Sequence, residues 1–266
     1  MVPSGSMRHA RRTLRKVPEI TAYFWILKVL TTAMGEATSD FSVREIDPYL
    51  AVGLGAVAFA AALVLQLSVG RYIAGVYWLA VVMVAIFGTM VADALHIQLG
   101  VPYAVSTAGF AIALTLIFIA WYATERTLSI HHITTMRREL FYWATVCVTF
   151  ALGTAAGDLT AYTLHLGFLA SGILFAVVIA VPAVAHRFAA LNAVVAFWFG
   201  YIITRPLGAS FADWMGVPHA LGGLNWGRGT VSVSLTIVIV GFVAYLTASR
   251  VDVDGRSLPP SLAEPA

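Results

Sequence analysis

The sequence predicts an all-α integral membrane protein of eight transmembrane helices, built as four parallel two-helix repeats in two duplicated halves with both termini cytoplasmic. Three observations carry that prediction. Of 266 residues, 60% are apolar and only 11% charged; eight apolar stretches are each long enough to cross a bilayer; and one residue pattern recurs four times. Soluble domains are roughly 45–50% apolar and about 25% charged, so a water-soluble globule is excluded. The net charge of +3 does not signal a nucleic-acid partner, because the cations sit mostly in tails and loops. Cys147 is the one cysteine, in the middle of an apolar run, which excludes an intrachain disulfide and a cysteine-rich metal cage. No small-residue cleavage site follows the first apolar segment, so no removable signal peptide is expected.

A helix needs about 20 mostly apolar residues to cross the roughly 30 Å hydrocarbon core. The first stretch that qualifies, 19–41, follows Arg8, Arg11, Arg12, Arg15 and Lys16, and the second is 49–69. Arg71 separates the second from the third, 73–96; the fourth is 103–122, followed by Arg126, Arg137 and Arg138. The fifth, 140–163, and sixth, 167–185, lead to Arg187; the seventh, 190–214, and eighth, 230–248, lead to Arg250 and Arg256. The alternate loops carry only Arg44 and Arg228. Cytoplasmic loops are the Arg- and Lys-rich ones, which sets the orientation. The chain then divides into a basic cytoplasmic tail (1–18), a first half (19–125), a cytoplasmic linker (126–138), a second half (139–250) and a disordered Pro- and Ser-containing tail (251–266).

Searching for repeats gives the strongest signal. Trp25, Trp78, Trp143 and Trp198 are each followed ten residues later by Gly35, Gly88, Gly153 and Gly208, and five further on by Asp40, Asp93, Asp158 and Asp213. An aromatic precedes each tryptophan (Phe24, Tyr77, Tyr142, Phe197), and a small residue precedes each aspartate (Ser39, Ala92, Gly157, Ala212). Two spans per copy is an even number, so all copies enter the membrane in one direction, as parallel repeats about an axis near the membrane normal. On these tryptophans and the segments GEATSD, GTMVAD, GTAAGD and GASFAD, the chain resembles a family of bacterial integral membrane proteins made of four tandem repeats, each with two spans and a characteristic tryptophan. The resemblance covers residues 17–248. It implies a fold, a repeat count and the bacterial inner membrane, and assigns no catalytic or binding residue.

At 100° per residue the tryptophan, glycine, small residue and aspartate of each copy fall within about 140° of one helix face. Glycine and small residue are four apart, a spacing that lets membrane helices approach closely. Packing of these four helices would bring four carboxylates to one depth, about 22 Å beyond the tryptophans, with the second span of each repeat facing lipid. Glu36, Thr89 and Thr154 follow the glycines, and Lys28 and Arg205 lie on the same face. Counting Glu36 and the aspartates against these two cations leaves −3, which favours a positive ligand. Oxygen donors suit Mg²⁺, Mn²⁺ or Ca²⁺, and His96, three residues after Asp93, adds a nitrogen donor that favours Mn²⁺. Protons are the other candidate ligand, since crowded carboxylates do not all ionise together.

The leading expectation is thus a secondary transporter exporting a small, Mn²⁺-like divalent cation against protons. Asp40, Asp93, Asp158 and Asp213 would be metal ligands, supported by Glu36, Thr89, Thr154 and His96, with Lys28 and Arg205 pairing the carboxylates by turns. The glycines and tryptophans are expected to pack helices. Two other readings stay open: a membrane scaffold or assembly protein with a structural polar face, and an intramembrane hydrolase using two aspartates in contact. No phosphate loop, zinc helix or nucleophile elbow is present in the sequence, so no enzyme activity and no cofactor are expected. The expected partners are the lipid bilayer and the cation, with self-association left open.

Overall fold

The computed structural model describes residues 15–188 and 191–253. The arm over 1–14 and the tail from residue 254 lie outside the described residues. Eight long helices follow one another: α1 Ala22–Glu45, α2 Pro48–Ser68, α3 Ala74–Ile97, α4 Tyr103–Glu125, α5 Met136–Asp158, α6 Gly167–Phe188, α7 Ala193–Gly216 and α8 Arg228–Ser249. No strand occurs among the described residues. Helix α5 runs on as a π turn, Leu159–Thr163. Local chemistry sets several starts. The Asp47 carboxylate accepts from the backbone N–H groups of Tyr49 and Leu50, both at 3.0 Å, with Pro48 leading α2, and Asn192 accepts from Val194 N–H at the start of α7.

Six helices, α2, α3, α4, α5 with its π turn, α7 and α8, are long and apolar enough to cross a membrane. The protein is therefore a multi-pass membrane protein. Helix α1 falls outside this set because it carries Lys28, Glu36, Asp40, Arg44 and Glu45, and α6 is apolar over Gly167–Val181.

Helices α1, α3, α5 and α7 form an inner ring in which each packs on the next and α7 closes back on α1. Glycine makes each approach possible. A Cβ on Gly35 would overlap Ala85, one on Gly88 would meet Phe150 Cβ at 2.8 Å, one on Gly153 would overlap Arg205, and one on Gly208 would overlap Thr32. Each repeat glycine thus receives the next inner helix in order around the ring. The outer helices do not fold back on their own partners. Helix α2 packs mainly on α3, α4 on α5, α6 on α7, and α8 on α1, so the two helices of one repeat are not the unit of packing. An outer helix seated on the following repeat bridges two inner helices, which a self-contained hairpin would leave unbridged. Burial follows this plan: over their spans α3, α5 and α7 are 56%, 61% and 61% buried, against 17%, 17% and 22% for α2, α4 and α8.

One end of the ring is closed by rings of a different kind. Phe24, Tyr77, Tyr142 and Phe197 are buried, as are Trp78, Trp143 and Trp198. They meet edge to face, Tyr77 on Trp78 at 5.2 Å and 88°, and the Tyr77 and Tyr142 hydroxyls are 2.5 Å apart. Trp25 is half-buried and packs on Phe197. Outside this aromatic layer the chain ends gather. Glu139 is fully buried, with the Lys16 ammonium at 2.5 Å and Gln66 Nε2 at 2.9 Å. Glu125 accepts from Arg137 and, at 2.6 Å, from Arg138. The Tyr72 hydroxyl donates to Asp252, whose backbone carbonyl accepts from Glu19 N–H. Lys16 and Val17, within the segment expected as a basic tail, are packed, and Asp252, within the segment expected as disordered, is buried and hydrogen-bonded. Burial raises the Asp252 carboxyl above its ordinary value, with the Tyr72 hydrogen bond opposing it, and burial likewise raises the Tyr72 phenol.

Candidate functional site

The inner helices present matched positions every four residues, about 6 Å apart along the axis. After the aromatic layer come Lys28, Val81, Val146 and Tyr201; then Thr32, Ala85, Phe150 and Arg205; then Glu36, Thr89, Thr154 and Ala209; then the four aspartates. Each layer is one column of the repeat, and the four copies differ in what they place there.

Arg205 is fully buried and reaches every other inner helix. Its Nη2 lies 2.6 Å from Glu36 Oε2 and 2.7 Å from Thr154 Oγ1, and also bonds Thr89 Oγ1, while Nη1 donates to Thr32 O at 3.3 Å. Nη2 carries two hydrogens for three acceptors, so these contacts are shared. Thr89 also donates to Glu36 Oε2 at 3.3 Å. The three residues that follow the repeat glycines, Glu36, Thr89 and Thr154, therefore converge on one guanidinium from the fourth repeat. Gly153 leaves the space that the Arg205 stem and Pro206 occupy. Helix α7 continues through Pro206, which lacks an N–H and removes one rung of the backbone ladder beside the arginine.

Among the described residues Lys28 has no carboxylate partner and its buried Nζ has no hydrogen-bond partner; it lies 4.0 Å from the Phe150 ring centre and 4.1 Å from that of Tyr201. Glu36 lies two helical turns along α1 and is already bonded to Arg205, so the ammonium rests on aromatic faces instead.

Beyond this polar layer a cavity of about 680 Å³ opens, with Glu36, Asp40, Asp93, Asp158 and Asp213 all in its wall. Asp40 is paired with Arg228, which also lines the cavity. Asp93 and Asp158 lie within electrostatic reach of Glu36 and Asp40, and Asp213 of Asp158. Between the acids the wall is largely apolar, with Val52, Met90 and Leu95 among its members, and the rings of Tyr49, Tyr103 and Tyr162 complete it. Tyr103 and Tyr162 stack at 5.8 Å and 14°. The π turn carries Tyr162; within it Thr160 Oγ1 donates to Gly157 O at 2.8 Å, occupying a carbonyl next to the turn that a regular ladder would use.

The expected ligand set separates into three groups. The four aspartates and Glu36 share the cavity. Thr89 and Thr154 belong to the arginine beneath it, where they act as acceptors for Arg205. His96 turns to its own helix end: Nδ1 bonds Val101 O at 2.9 Å, Nε2 is 3.4 Å from Ser106 Oγ, and the ring lies 4.1 Å from that of Tyr103. Asp40, Asp93, Asp158 and Asp213, the expected metal ligands, all stand in the cavity wall. Among the described residues no three His, Cys, Asp or Glu side chains stand together as a metal-binding group. Each aspartate comes from a different inner helix. Glu36 and Asp40 both bond to arginines.

Sequence reasoning missed Arg228 and the three tyrosines as wall residues. Arg228 had left a signal, as one of only two cations in the loops on the aspartate side. The tyrosines had left none, because they stand outside the repeated columns.

Comparison with known proteins agrees with the repeat arithmetic. The family model described as Repeat of Unknown Function (DUF347) matches four times, at residues 23–72, 76–127, 141–191 and 196–252. No curated protein and no solved structure matches the chain.

Proposed function

Because the chain belongs to the family described as Repeat of Unknown Function (DUF347), a name that carries no chemistry, the reading has to come from the site, and we propose a secondary transporter that exchanges a small cation for protons. In this reading all eight helices cross the bilayer. Helix α1 crosses because its Lys28 and Glu36 are buried inside the ring and need no contact with lipid. The arginine-rich end with both chain termini faces the cytoplasm, and the cavity faces the other side.

The observation that carries the proposal is a chamber walled by five acids and floored by a closed polar and aromatic plug. A cation entering from the open side meets Asp93, Asp158 and Asp213, for which no ion pair or hydrogen bond occurs among the described residues. Glu36 belongs both to the cavity wall and to the Arg205 pair. A cation that draws Glu36 away frees Arg205, and with it the contacts that tie α7 to α1, α3 and α5. Pro206 gives α7 a place to bend there. Crowded carboxylates share protons, so cation entry displaces them and proton return displaces the cation. Movement of two halves past each other must carry α4 and α8 across the boundary, since each packs on the opposite half.

The test is proton movement in proteoliposomes containing the purified chain and a pH-sensitive dye, driven by an inward cation gradient. The wild type should give cation-dependent proton counterflow, and Asp93→Asn with Asp158→Asn should abolish it while leaving the protein folded. Unchanged flux in that double variant, or no flux in the wild type, would leave the arginine lattice as structural glue and favour the scaffold reading.

A further inference from the structure

We infer that the cavity is built for an aliphatic polyamine, a chain of ammonium groups separated by methylenes, rather than for a metal ion. The inference rests on the transport reading for its site and adds the substrate class.

The charge comes in separate places. With Glu36 held by Arg205 and Asp40 by Arg228, three carboxylates remain, one each on α3, α5 and α7. They are not gathered into a metal-binding group. Asp213 is 9% exposed and lines the cavity, and among the described residues no hydrogen bond or ion pair reaches its carboxylate, which feels the more distant charge of Arg228, itself bonded to Asp40. A buried charge in that state is costly unless something pairs with it. The three acids stand on different helices. A flexible polycation can satisfy all of them.

The remaining wall suits the rest of such a molecule. It is more apolar than polar, which favours methylenes over a hydrated ion. Tyr103 and Tyr162, stacked on one another, add aromatic surface to the wall beside the acids, and His96 packs against the Tyr103 ring. The volume, about 680 Å³, lies in the range of sites that enclose small organic molecules, roughly 300–1,000 Å³. An inorganic ion would leave most of it empty.

Isothermal titration calorimetry of the full chain in nanodiscs tests the assignment with four probes: spermidine, putrescine, butylamine and MnCl₂. Affinity should rise with the number of ammonium groups, by about fivefold or more per group, and Mn²⁺ at equal concentration should not displace spermidine. Asp158→Asn should weaken spermidine about tenfold and butylamine much less, with Tyr162→Ala weakening both. The wild-type series and the Mn²⁺ competition stand even where a variant fails to fold. Mn²⁺ binding more tightly than spermidine, equal affinity for butylamine and spermidine, or no spermidine binding would each overturn the inference. Aspartate-dependent cation–proton exchange without spermidine binding would remove the substrate class and keep the transport reading; spermidine binding with no flux of any cation would do the reverse.

Discussion

At the scale of single residues, Arg205 decides the most. Its guanidinium is fully buried and is bonded to three other helices, so removing either member of its ion pair leaves an uncompensated buried charge. Arg205→Met should lower unfolding stability by about 3–5 kcal/mol, read as a fall in melting temperature in detergent. Adding Glu36→Gln should recover much of that loss, because the orphaned carboxylate goes with it. A double variant no more stable than Arg205→Met would show that the arginine acts by shape alone. Asp252 offers a pH test outside the bundle. Burial raises its carboxyl above the ordinary value, so the folded chain holds that proton more tightly than the unfolded one. The resulting stabilisation is full at low pH and is lost as pH climbs through the raised value. Asp252→Asn, which cannot ionise, should therefore gain stability relative to the wild type as pH increases. A constant difference between the two melting temperatures from pH 4 to 8 would contradict this.

At the scale of helices, the repeat glycines were legible because their column is invariant and because small residues four apart mean close approach. Which helix each one meets was not legible. A glycine announces a contact and leaves the partner unnamed, and the seating of each outer helix on the following repeat depends on how short connections such as Ile46–Asp47 let the chain lean. The helices themselves were readable to within a few residues, apart from the π turn, which only the three-dimensional setting of Thr160 and Tyr162 reveals. Two outcomes follow. Gly208→Val should cost about 1–3 kcal/mol by overlapping Thr32 and Ala33, whereas Gly109→Val, with open space around it, should cost little; equal losses would deny the interlocked ring. Closure of α8 onto α1 places the Thr38 and Ser232 hydroxyls 2.6 Å apart. Thr38→Cys combined with Ser232→Cys should form an intramolecular disulfide on mild oxidation, detected as a reducible mobility shift of the monomer. Failure to form it, or formation only between chains, would break the ring where the sequence ends meet.

At the scale of the whole molecule, the columns of the repeat become layers of a closed ring, and the departures from symmetry fall in the layers that matter. Lys28, Arg205 and Glu36 each occur in one copy only, while the aspartate layer is kept in all four. The shared depth of the acids could be read from their spacing. The pairing of Asp40 with Arg228 and the tyrosine wall could not, since each depends on distances across the ring. The assignment of a positive ligand rests on the chamber.

Water access to the acidic layer from one side alone is the claim on which binding, exchange and substrate class all depend, and cysteine labelling in intact membrane vesicles measures it directly. In a Cys147→Ala background, Asp93→Cys should react with a membrane-impermeant maleimide from the face opposite the chain termini and stay unreacted from the terminal face, while Lys28→Cys, beneath the arginine layer, should react from neither. Labelling of Asp93→Cys from the terminal face, or from both faces alike, would contradict the account.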